Sequence, residues 1–386
     1  MTQRITDDWL SGAGPQAVCA MLTTAGYQAW FVGGCVRNAL LGADITDIDI
    51  TTDATPDQIT GLARNSGFHP VPTGFDHGTV TVVVAGHPFE VTTFRRDIAT
   101  DGRRAVVAYA GSIEEDAHRR DFTMNALYAA PDGVIADPIG GLPDLQARRV
   151  RFIDDAHARI REDYLRILRF FRFHAWYGDP NHGLDAEALA AISVNSAGLE
   201  TLSRERVGSE MKKLLSAPDP APAVAAMAQA GVLIHVLPGA DCTALPVLVH
   251  HEQALGVAPN PIRRLACLGG EDHMERLRLS KADSRRLDRL LDHRGTLAGA
   301  EELAYRIGPE EARNVVLLTS AMFETLPPGD LEARLERGAG AVFPVAPKDL
   351  MPEFEGVALG ERLRDLENRW IASGFSLSRE ELLERG

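Results

Sequence analysis

Residues 31–52, FVGGCVRNALLGADITDIDITT, decide the fold and contain the side chains best suited to chemistry. The strand-like run at 45–51 carries Asp47 and Asp49, and residues i and i+2 of a strand point to the same face. Two neighbouring carboxylates repel each other unless a counter-charge or a shared proton relieves them. A hard divalent cation with oxygen ligands, most naturally Mg²⁺, provides that charge. The alternative is a surface strand with two solvated acids.

A glycine pair precedes this run. Gly33 and Gly34 let the backbone approach a ligand closely and direct amide groups at a phosphate. Arg37 follows at the start of a predicted helix, where its planar guanidinium can reach the same anion. Phosphate binders and metal binders therefore lie within one short stretch, as phosphoryl and nucleotidyl transfer require.

The composition is that of an ordinary globular protein. The chain has 386 residues, of which 45% are hydrophobic, 24% charged and 6% aromatic. This length exceeds one small core, so we expect two to four domains. The formal net charge of −14 argues against indiscriminate binding of polyanions, although a local basic surface can still bind nucleic acid.

The sequence carries few targeting signals. The first ten residues show no positive leader followed by an apolar core, and no apolar run approaches the roughly 18 residues of a membrane helix. The four cysteines have no CxxC spacing, which favours free thiols over a zinc site or a disulfide framework. We therefore expect a cytoplasmic protein with no membrane partner.

The first 140 residues alternate short helices with strands. The predicted strands are 29–32, 45–51, 79–84, 89–93 and 134–136, and the predicted helices cover 15–25 and begin again at Pro56 and after Ser112. The charged, glycine-broken segment at 94–109 is predicted to be a mobile loop. These patterns indicate an α+β head whose mixed, largely antiparallel sheet is flanked by helices.

Beyond residue 140 the periodicity becomes helical and the strand signals fade. The clearest helix spans 156–176, and joints rich in proline and glycine interrupt the later helices. The remainder is therefore predicted to be all-α. We place the domain boundaries at 1–140, 141–216 and 217–386.

Other charged residues could complete the site. Glu90 is the first candidate for a third metal carboxylate and Asp121 the second, although Glu90 fits an edge-strand acid equally well. In the run RRDFTMN, Arg120 is predicted to meet a phosphate or a ribose. The alternative for Arg120 is a solvated helix end.

The helix predicted around EDYLRILRFFR contains Asp163 and Arg166, which are neighbours at spacing i and i+3. A carboxylate accepts from an exocyclic amine and a guanidinium donates to a ring nitrogen, the pattern that adenine and cytosine offer. Guanine and uracil offer the reverse, so this pair could select ATP and CTP. A simple helical ion pair is the alternative. Arg169 and Arg172 continue the row and could meet phosphates or fix Asp163.

Later charges are less distinctive. Residues 204–214 read as an amphipathic helix with a structural role. Basic residues then recur, and they form either a solvated face or a track for an RNA backbone: Arg263, Arg264, Arg276, Arg278, Lys281, Arg285, Arg286 and Arg289.

Seven ordered motifs between residues 29 and 215 resemble the class II tRNA nucleotidyltransferases, the CCA-adding enzymes, which share a superfamily with bacterial poly(A) polymerases. The motifs are FVGGCVRNALLGADITDIDI, PTGFDHGTVTV, FEVTTFRRDIATDGRR, RRDFTMNALY, DPIGGLPDLQARRVRFI, EDYLRILRFFRF and RERVGSEMKKLL. The resemblance implies a nucleotidyltransferase head at 1–140, a neck at 141–216 that recognises the base, and a body and tail at 217–386 that hold tRNA.

The resemblance also implies roles for matching residues. Asp47 and Asp49 match metal carboxylates for Mg²⁺, and the remaining matches are contacts to ATP or CTP: Gly33, Gly34, Arg37, Arg120, Asp163, Arg166, Arg169 and Arg172. The implied activity adds C, C and A to the 3′ acceptor end of tRNA. The segment FRRDIATDGRR resembles one that the family associates with switching from C to A.

One position departs from the family pattern, which usually has Arg-Asp where this chain has Arg37-Asn38. The neutral side chain weakens the expectation that position 38 fixes Arg37. A C-terminal phosphohydrolase activity is not expected, because no HD pair with suitable companions is visible. The competing hypotheses are a poly(A) polymerase, an enzyme that adds only CC or only A, and a non-catalytic tRNA-binding module.

Overall fold

A computed structural model describes residues 3–101 and 104–384. Within these residues the strands are β1 (Trp30–Val32), β2 (Asp49–Thr52), β3 (His69–Gly74), β4 (Thr79–Val84), β5 (His87–Thr93), β6 (Arg95–Asp101), β7 (Arg104–Tyr109), β8 (Tyr128–Ala129) and β9 (Ile135–Ala136). Seven of them form one sheet in the order β3-β4-β5-β2-β1-β8-β9. Strands β2 and β5 pair in parallel and the other neighbours pair antiparallel, which confirms the predicted mixed, largely antiparallel sheet.

Helices flank this sheet: α1 (Asp8–Ser11), α2 (Ala13–Thr24), α3 (Gly34–Leu41), α4 (Pro56–Asn65) and α5 (Ile113–His118). Local sequence sets their starts. Thr55 and Gln58 form a capping box at α4, with Pro56 at the first helical position. The Ser112 hydroxyl accepts a hydrogen bond from the Glu115 amide at α5. Apolar faces then pack on the sheet around the buried side chains of Phe31 and Ile50.

The predicted loop at 94–109 is wrong in its backbone structure. Strands β6 and β7 pair antiparallel from Arg95 opposite Tyr109 to Asp101 opposite Arg104, and residues 102–103 lie outside the described residues. The Ile, Val, Thr and Tyr residues of this segment favour extended backbone, and pairing satisfies the backbone groups despite the many charges. The mobility of the segment stays a prediction.

The chain after residue 140 is helical, as predicted. Its helices are α6 (Leu142–Gln146), α7 (Ala156–Glu162), α8 (Leu165–Tyr177), α9 (Ala186–Asn195), α10 (Arg204–Leu215), α11 (Ala221–Gln229), α12 (Leu233–Val236), α13 (Leu245–Ala254), α14 (Pro261–Leu268), α15 (His273–Leu277), α16 (Lys281–Asp292), α17 (Ala300–Ile307), α18 (Pro309–Met322), α19 (Leu331–Ala339), α20 (Gly356–Ala372) and α21 (Arg379–Glu384). Short 3₁₀ turns lie at Phe75–His77, Thr123–Asn125, Ser196–Thr201 and Pro347–Asp349.

The single helix predicted at 156–176 is instead two helices, α7 and α8. Asp163 lies between them with an extended backbone, φ −154° and ψ 105°. Its own carboxylate accepts a hydrogen bond from the Leu165 amide at 3.1 Å, so the side chain caps the helix that follows. This competition between side chain and helix backbone explains the break.

The chain divides into two compact units, 1–240 with 270–279, and 241–269 with 280–386. In the first unit, Phe122, Phe152, Phe170 and Phe173 pack together and join the RRDFTMN segment to α8. The three-part division at 140 and 216 stays a prediction. No described helix is long and apolar enough to cross a membrane.

In the second unit, two of the predicted basic residues are not available to RNA. Arg263 and Arg264 are only 2% and 1% exposed, and both bind the buried carboxylate of Glu252. Arg286 and Arg289 pair with Glu311. A contact of Arg263 or Arg264 with RNA is therefore wrong, because both are buried and paired, whereas a contact of the surface residues Arg286 and Arg289 with RNA stays a prediction.

Candidate active site

Two cavities in the first unit share Asp49 and Arg169. A cavity of about 370 Å³ is lined by the predicted residues Gly33, Gly34, Arg37, Asp49, Arg120, Asp163, Arg166 and Arg169, together with Arg119, Asp121, Asn125 and Phe173. Asp47 and Arg172 instead line a cavity of about 1210 Å³, which also contains Trp9, Phe89, Glu90 and Lys213. The first cavity thus brings together residues that lie up to 140 positions apart in the chain, Gly33 and Phe173.

The prediction that Asp47 and Asp49 both lie in a strand at 45–51 is wrong for Asp47. Strand β2 begins only at Asp49, so Asp47 lies before the strand, where its carboxylate accepts from the Thr46 hydroxyl at 3.0 Å. Asp49 is opposite Glu90 in the parallel register of β2 and β5. Burial, the nearby charge of Glu90 and, more weakly, Asp47 raise the pKa of Asp49 to about 6, although Arg120 opposes the shift.

These carboxylates fit a divalent cation that substrate oxygens help to hold. Among the described residues, no group of three His, Cys, Asp or Glu side chains could hold a metal alone. Mg²⁺ is commonly bound by one or two carboxylates plus water and substrate phosphates, which matches Asp47 and Asp49. Burial and the neighbouring acids, which raise the pKa of Asp49, disfavour its charged form, and a bound cation would offset this effect. Asp121, the second candidate for a third carboxylate, instead binds Arg169.

The glycine pair leaves space in front of two guanidinium groups. Gly33 has φ +71°, and a Cβ added there would lie 3.7 Å from Nη1 of Arg120. A Cβ added at Gly34 would lie 3.8 Å from Nη2 of Arg37. Both glycines precede or begin α3, whose first amide groups carry partial positive charge. This open, positive corner is suited to an anion such as a phosphate.

Asn38 fixes Arg37, contrary to the expectation from its lost charge. The Asn38 amide oxygen accepts from Nε of Arg37 at 3.1 Å and from Nη2 at 2.8 Å. Arg37 also donates to the Asn125 amide oxygen at 2.5 Å and to the Tyr177 hydroxyl at 2.8 Å. Since an amide oxygen accepts a forked guanidinium as a carboxylate does, the shape of the side chain suffices.

Arg120 is held by a residue that the sequence did not single out. Asp116, fully buried, accepts from Arg120, from Arg119 and from the Tyr128 hydroxyl at 2.7–3.1 Å. Burial alone would raise the pKa of Asp116, but the two guanidinium groups bring it well below its ordinary value. Arg120 is therefore oriented over the cavity by a permanent charge. The spacing of Asp116 and Arg120, i and i+4, was the available signal.

Asp163 and Arg166 both line the cavity, but each is held by another partner. Asp163 accepts from Nη2 of Arg206 on α10. Arg166 donates to the Glu162 carboxylate at 2.6 Å and to the carbonyl of Arg119 at 2.9 Å. The two side chains thus do not form the simple helical ion pair, and both are oriented independently.

Helix α10 also holds Arg172, through the Glu210 carboxylate at 2.6 Å. Glu210 is 4% exposed and Arg206 sits one turn earlier on the same helix. Residues 204–214 therefore have the predicted structural role, and that role is to fix two candidate site residues. Arg206 binds Asp163, and Glu210 binds Arg172. The pairing could not be read from sequence because 38 to 43 residues separate the partners.

A mixed-sheet head with a carboxylate pair beside an arginine-lined cavity defines a class, the nucleotidyltransferases. Residues 29–151 match the family "Poly A polymerase head domain", and residues 183–243 match "Probable RNA and SrmB- binding site of polymerase A". CCA tRNA nucleotidyltransferase 1, mitochondrial, of Mus musculus is 30% identical over 387 residues, covering 96% of this chain and 89% of that protein. The chain belongs to the CCA tRNA nucleotidyltransferase family, the CCA-adding enzymes.

Other relatives agree. The CCA-adding enzyme of Geobacillus thermodenitrificans is 41% identical over 224 residues, 58% of this chain and 54% of that protein. The crystal structure of the Bacillus stearothermophilus CCA-adding enzyme in complex with CTP is 30% identical, has a TM-score of 0.75 and covers 98% of both chains. A Thermotoga maritima CCA-adding enzyme complexed with tRNA, at 19% identity and a TM-score of 0.68, supports the fold alone. As a family member this protein is a transferase, and the family implies dependence on a divalent metal.

Proposed function

We propose that this protein adds C, C and A in turn to the 3′ acceptor end of tRNA, using CTP and ATP and no nucleic-acid template. The observation that carries the proposal is the position of Asp49 at the boundary of two cavities. The arginine-lined cavity fits a nucleoside triphosphate, and the larger one leaves room for the last nucleotides of an RNA primer. Both would then meet at the carboxylates.

The residues act by position and charge. Asp47 and Asp49 would hold a divalent metal, for which we propose Mg²⁺, and that metal would supply positive charge for the triphosphate and for the primer hydroxyl. Arg37 and Arg120 would bind phosphate oxygens beside the glycine turn. Arg169 lines both cavities, so it would contact the reacting ends of both substrates.

Asp163 and Arg166 would select the base. The Asp163 carboxylate would accept from the N6 amine of adenine or the N4 amine of cytosine, and Arg166 would donate to the ring nitrogen. Because Arg206 and Glu162 already fix these two side chains, GTP and UTP would leave polar groups unpaired. Four free cysteines support a reducing compartment, for which we propose the cytoplasm.

Two alternatives come from the same class. The head family is named for poly(A) polymerases, and an enzyme with partial specificity would add only CC or only A. A non-catalytic tRNA-binding module would need no charged metal site, and the repulsion of Asp49 by Glu90 and Asp47, which helps to raise the pKa of Asp49, argues against it.

The base-selection step can be tested by replacing Arg166. We expect Arg166→Ala to reduce discrimination against UTP about 10-fold or more, because one hydrogen bond that rejects the wrong base is lost. The measurement is single-nucleotide incorporation into tRNA lacking its 3′ terminus, with CTP and UTP in parallel. Arg161→Ala, an exposed arginine on α7, is the matched control. Unchanged rejection of UTP by Arg166→Ala would refute this role.

A further inference from the structure

Trp176 is the one exposed tryptophan of the four in the chain, all of which the structure describes. It lies on α8 and is 42% exposed, and its Nε1 donates a hydrogen bond to the backbone carbonyl of Lys213 on α10 at 2.8 Å. This bond fixes the indole ring while much of the ring surface stays open. Exposure alone does not mark a binding site, because single apolar side chains are common on protein surfaces. The charges beside Trp176 supply the second observation.

The face of α8 that carries Trp176 leads to the candidate metal site. Arg169, Arg172 and Trp176 stand at positions i, i+3 and i+7, so their side chains share one face of the helix. Arg169 lines both cavities with Asp49, and Arg172 lines the larger one. Trp176 lies about 10 Å beyond Arg169 along the helix axis, at a rise of about 1.5 Å per residue. The order from the carboxylates outward is therefore cation, cation, aromatic ring.

Lys213 adds a further cation beside the ring. It lines the larger cavity, and its side chain is 59% exposed. The Glu210 carboxylate binds Nε of Arg172 at 2.6 Å but lies 3.7 Å from Nζ of Lys213. An exposed ion pair of that length contributes little, so the Lys213 ammonium can turn to a ligand. Proteins hold single-stranded RNA without reading its sequence through cations that follow the phosphates, next to aromatic rings on which bases stack.

We propose that Trp176 is a stacking platform for a base in the single-stranded 3′ end of tRNA, with Arg172 and Lys213 binding phosphates of the same strand. The inference rests on the proposed function, because that function places the reacting 3′ hydroxyl at Asp47 and Asp49. From there the strand passes along the exposed face of α8, and the stacked base belongs to a nucleotide upstream of the reacting end.

A platform of this kind acts on tRNA and not on the incoming nucleotide. Every base has a flat face, so stacking on Trp176 tolerates any terminal sequence and favours primer binding. Asp163 and Arg166 line the other cavity, where they would choose CTP or ATP. Loss of the indole ring should therefore raise KM for tRNA and leave base choice intact.

The first test compares Trp176→Ala with Trp176→Phe in the addition assay, using tRNA that lacks its terminal CCA. We expect Trp176→Ala to raise KM for tRNA about 10-fold, because stacking is lost, and to change kcat and KM for CTP less than about 2-fold. Trp176→Phe keeps an aromatic face and loses the bond to Lys213, so KM for tRNA should rise less than about 3-fold. Val194→Ala, which trims another exposed apolar side chain in the same unit, is the control and should match wild type.

Two binding measurements separate stacking from a structural role. Tryptophan fluorescence of the wild-type protein should be quenched when tRNA ending in CC is titrated without nucleotides. Trp176→Phe should bind the same tRNA with most of that quenching absent. Lys213→Gln should lower the slope of log affinity against log salt concentration by about 1, because one phosphate contact is lost. A role confined to packing α8 on α10 would change neither quantity.

Several results would overturn the inference while the proposed function stands. They are an unchanged KM for tRNA in Trp176→Ala, an equal rise in KM in Trp176→Ala and Trp176→Phe, equal quenching in wild type and Trp176→Phe, or an unchanged salt slope in Lys213→Gln. If Trp176→Ala does not fold, the fluorescence comparison with Trp176→Phe decides alone. If wild-type protein neither binds nor extends tRNA, the proposed function itself fails and the inference fails with it.

Discussion

The carboxylates around the two cavities fall into two groups. Some form ion pairs that fix arginine side chains, and others are left to bind a cation. Asp116, Glu162 and Glu210 each bind an arginine and carry no free charge into the cavities. Asp49 has the opposite environment, because burial and neighbouring acids raise its pKa. A carboxylate in that state is stabilised by a cation from solution, whereas a paired carboxylate is not.

Asp121 belongs to the carboxylates that fix an arginine, because it binds Arg169. Its charge makes the free energy of unfolding depend on pH. Burial alone would raise the pKa of Asp121, but Arg169 and the Asn125 amide lower it from 3.8 to about 2. A depressed pKa contributes stability that is complete above the unfolded value, near 4, and is lost as the pH falls towards 2. The shift corresponds to about 2 kcal/mol.

We therefore expect Asp121→Asn to be less stable than wild type at pH 7 by about 2 kcal/mol. The difference should stay constant down to about pH 4 and shrink between pH 4 and 2. Urea unfolding followed by circular dichroism at several pH values measures it. Asp57→Asn, at an exposed carboxylate on α4, is the control for the change of side chain alone. A difference that is constant down to pH 2 would contradict the assignment.

Single residues also show where sequence reasoning succeeds. The pattern from Gly33 to Asp49 identifies residues that are close in the chain, and the structure places all of them around one cavity except Asp47, which lines the other. The partners of these residues were missed. Asn125 and Tyr177 reach Arg37 from 88 and 140 residues away, and nothing in the local sequence marks such pairs before the chain is folded.

At the scale of elements, helix α10 supports the charged residues on and beside α8. It carries Arg206 and Glu210, which hold Asp163 and Arg172 on and beside α8. Gly208 lies between them and is packed against α15, where a Cβ would come within 1.8 Å of the Leu277 carbonyl oxygen. Backbone at that distance cannot move aside without displacing the helix.

We expect Gly208→Ala to destabilise the protein by about 2 kcal/mol or more, because the added methyl group overpacks a buried contact. Gly360→Ala in α20 makes the same change where no atom lies within 4 Å. Alanine is the better helix former, so this control should gain up to about 1 kcal/mol. Thermal unfolding of both variants measures the contrast. Equal stability of the two would show that α10 does not pack on α15 as described.

Elements also show what short-range signals miss. The capping signals at Thr55 and Ser112 place α4 and α5 correctly. The segment at 94–109 was taken for a loop because charges and a glycine outweighed its Val, Ile and Tyr residues. Pairing between β6 and β7 supplies the backbone hydrogen bonds, and the Asp116 carboxylate accepts from the Arg95 amide at 3.4 Å. Such pairing depends on both strands at once.

At the scale of the whole molecule, the chain combines a net charge of −14 with a cavity rich in arginine. The change from a sheet to helices near residue 140 is visible in the periodicity, and for that reason the α+β class was predictable. The sequence did not predict which basic residues are exposed and which are buried. Arg263 and Arg264 look exposed in sequence, yet their charge is buried against Glu252 in the second unit.

The central claim is sequential addition of C, C and A at a site built on Asp49. Its direct test is purified protein with tRNA that lacks its terminal CCA, supplied with each nucleotide alone and with CTP and ATP together, and resolved to single nucleotides on a denaturing gel. We expect two additions with CTP alone, three with CTP and ATP, and then termination.

Asp49→Asn should bind the same tRNA in a gel-shift measurement yet add nucleotides about 100-fold more slowly or worse, since a proposed ligand of the metal is lost. Asp57→Asn serves again as the exposed control. Three defined additions that require Asp49 are the predicted result. Runaway A tails, addition of C alone or of A alone, absence of product, or full activity in Asp49→Asn would each contradict the account.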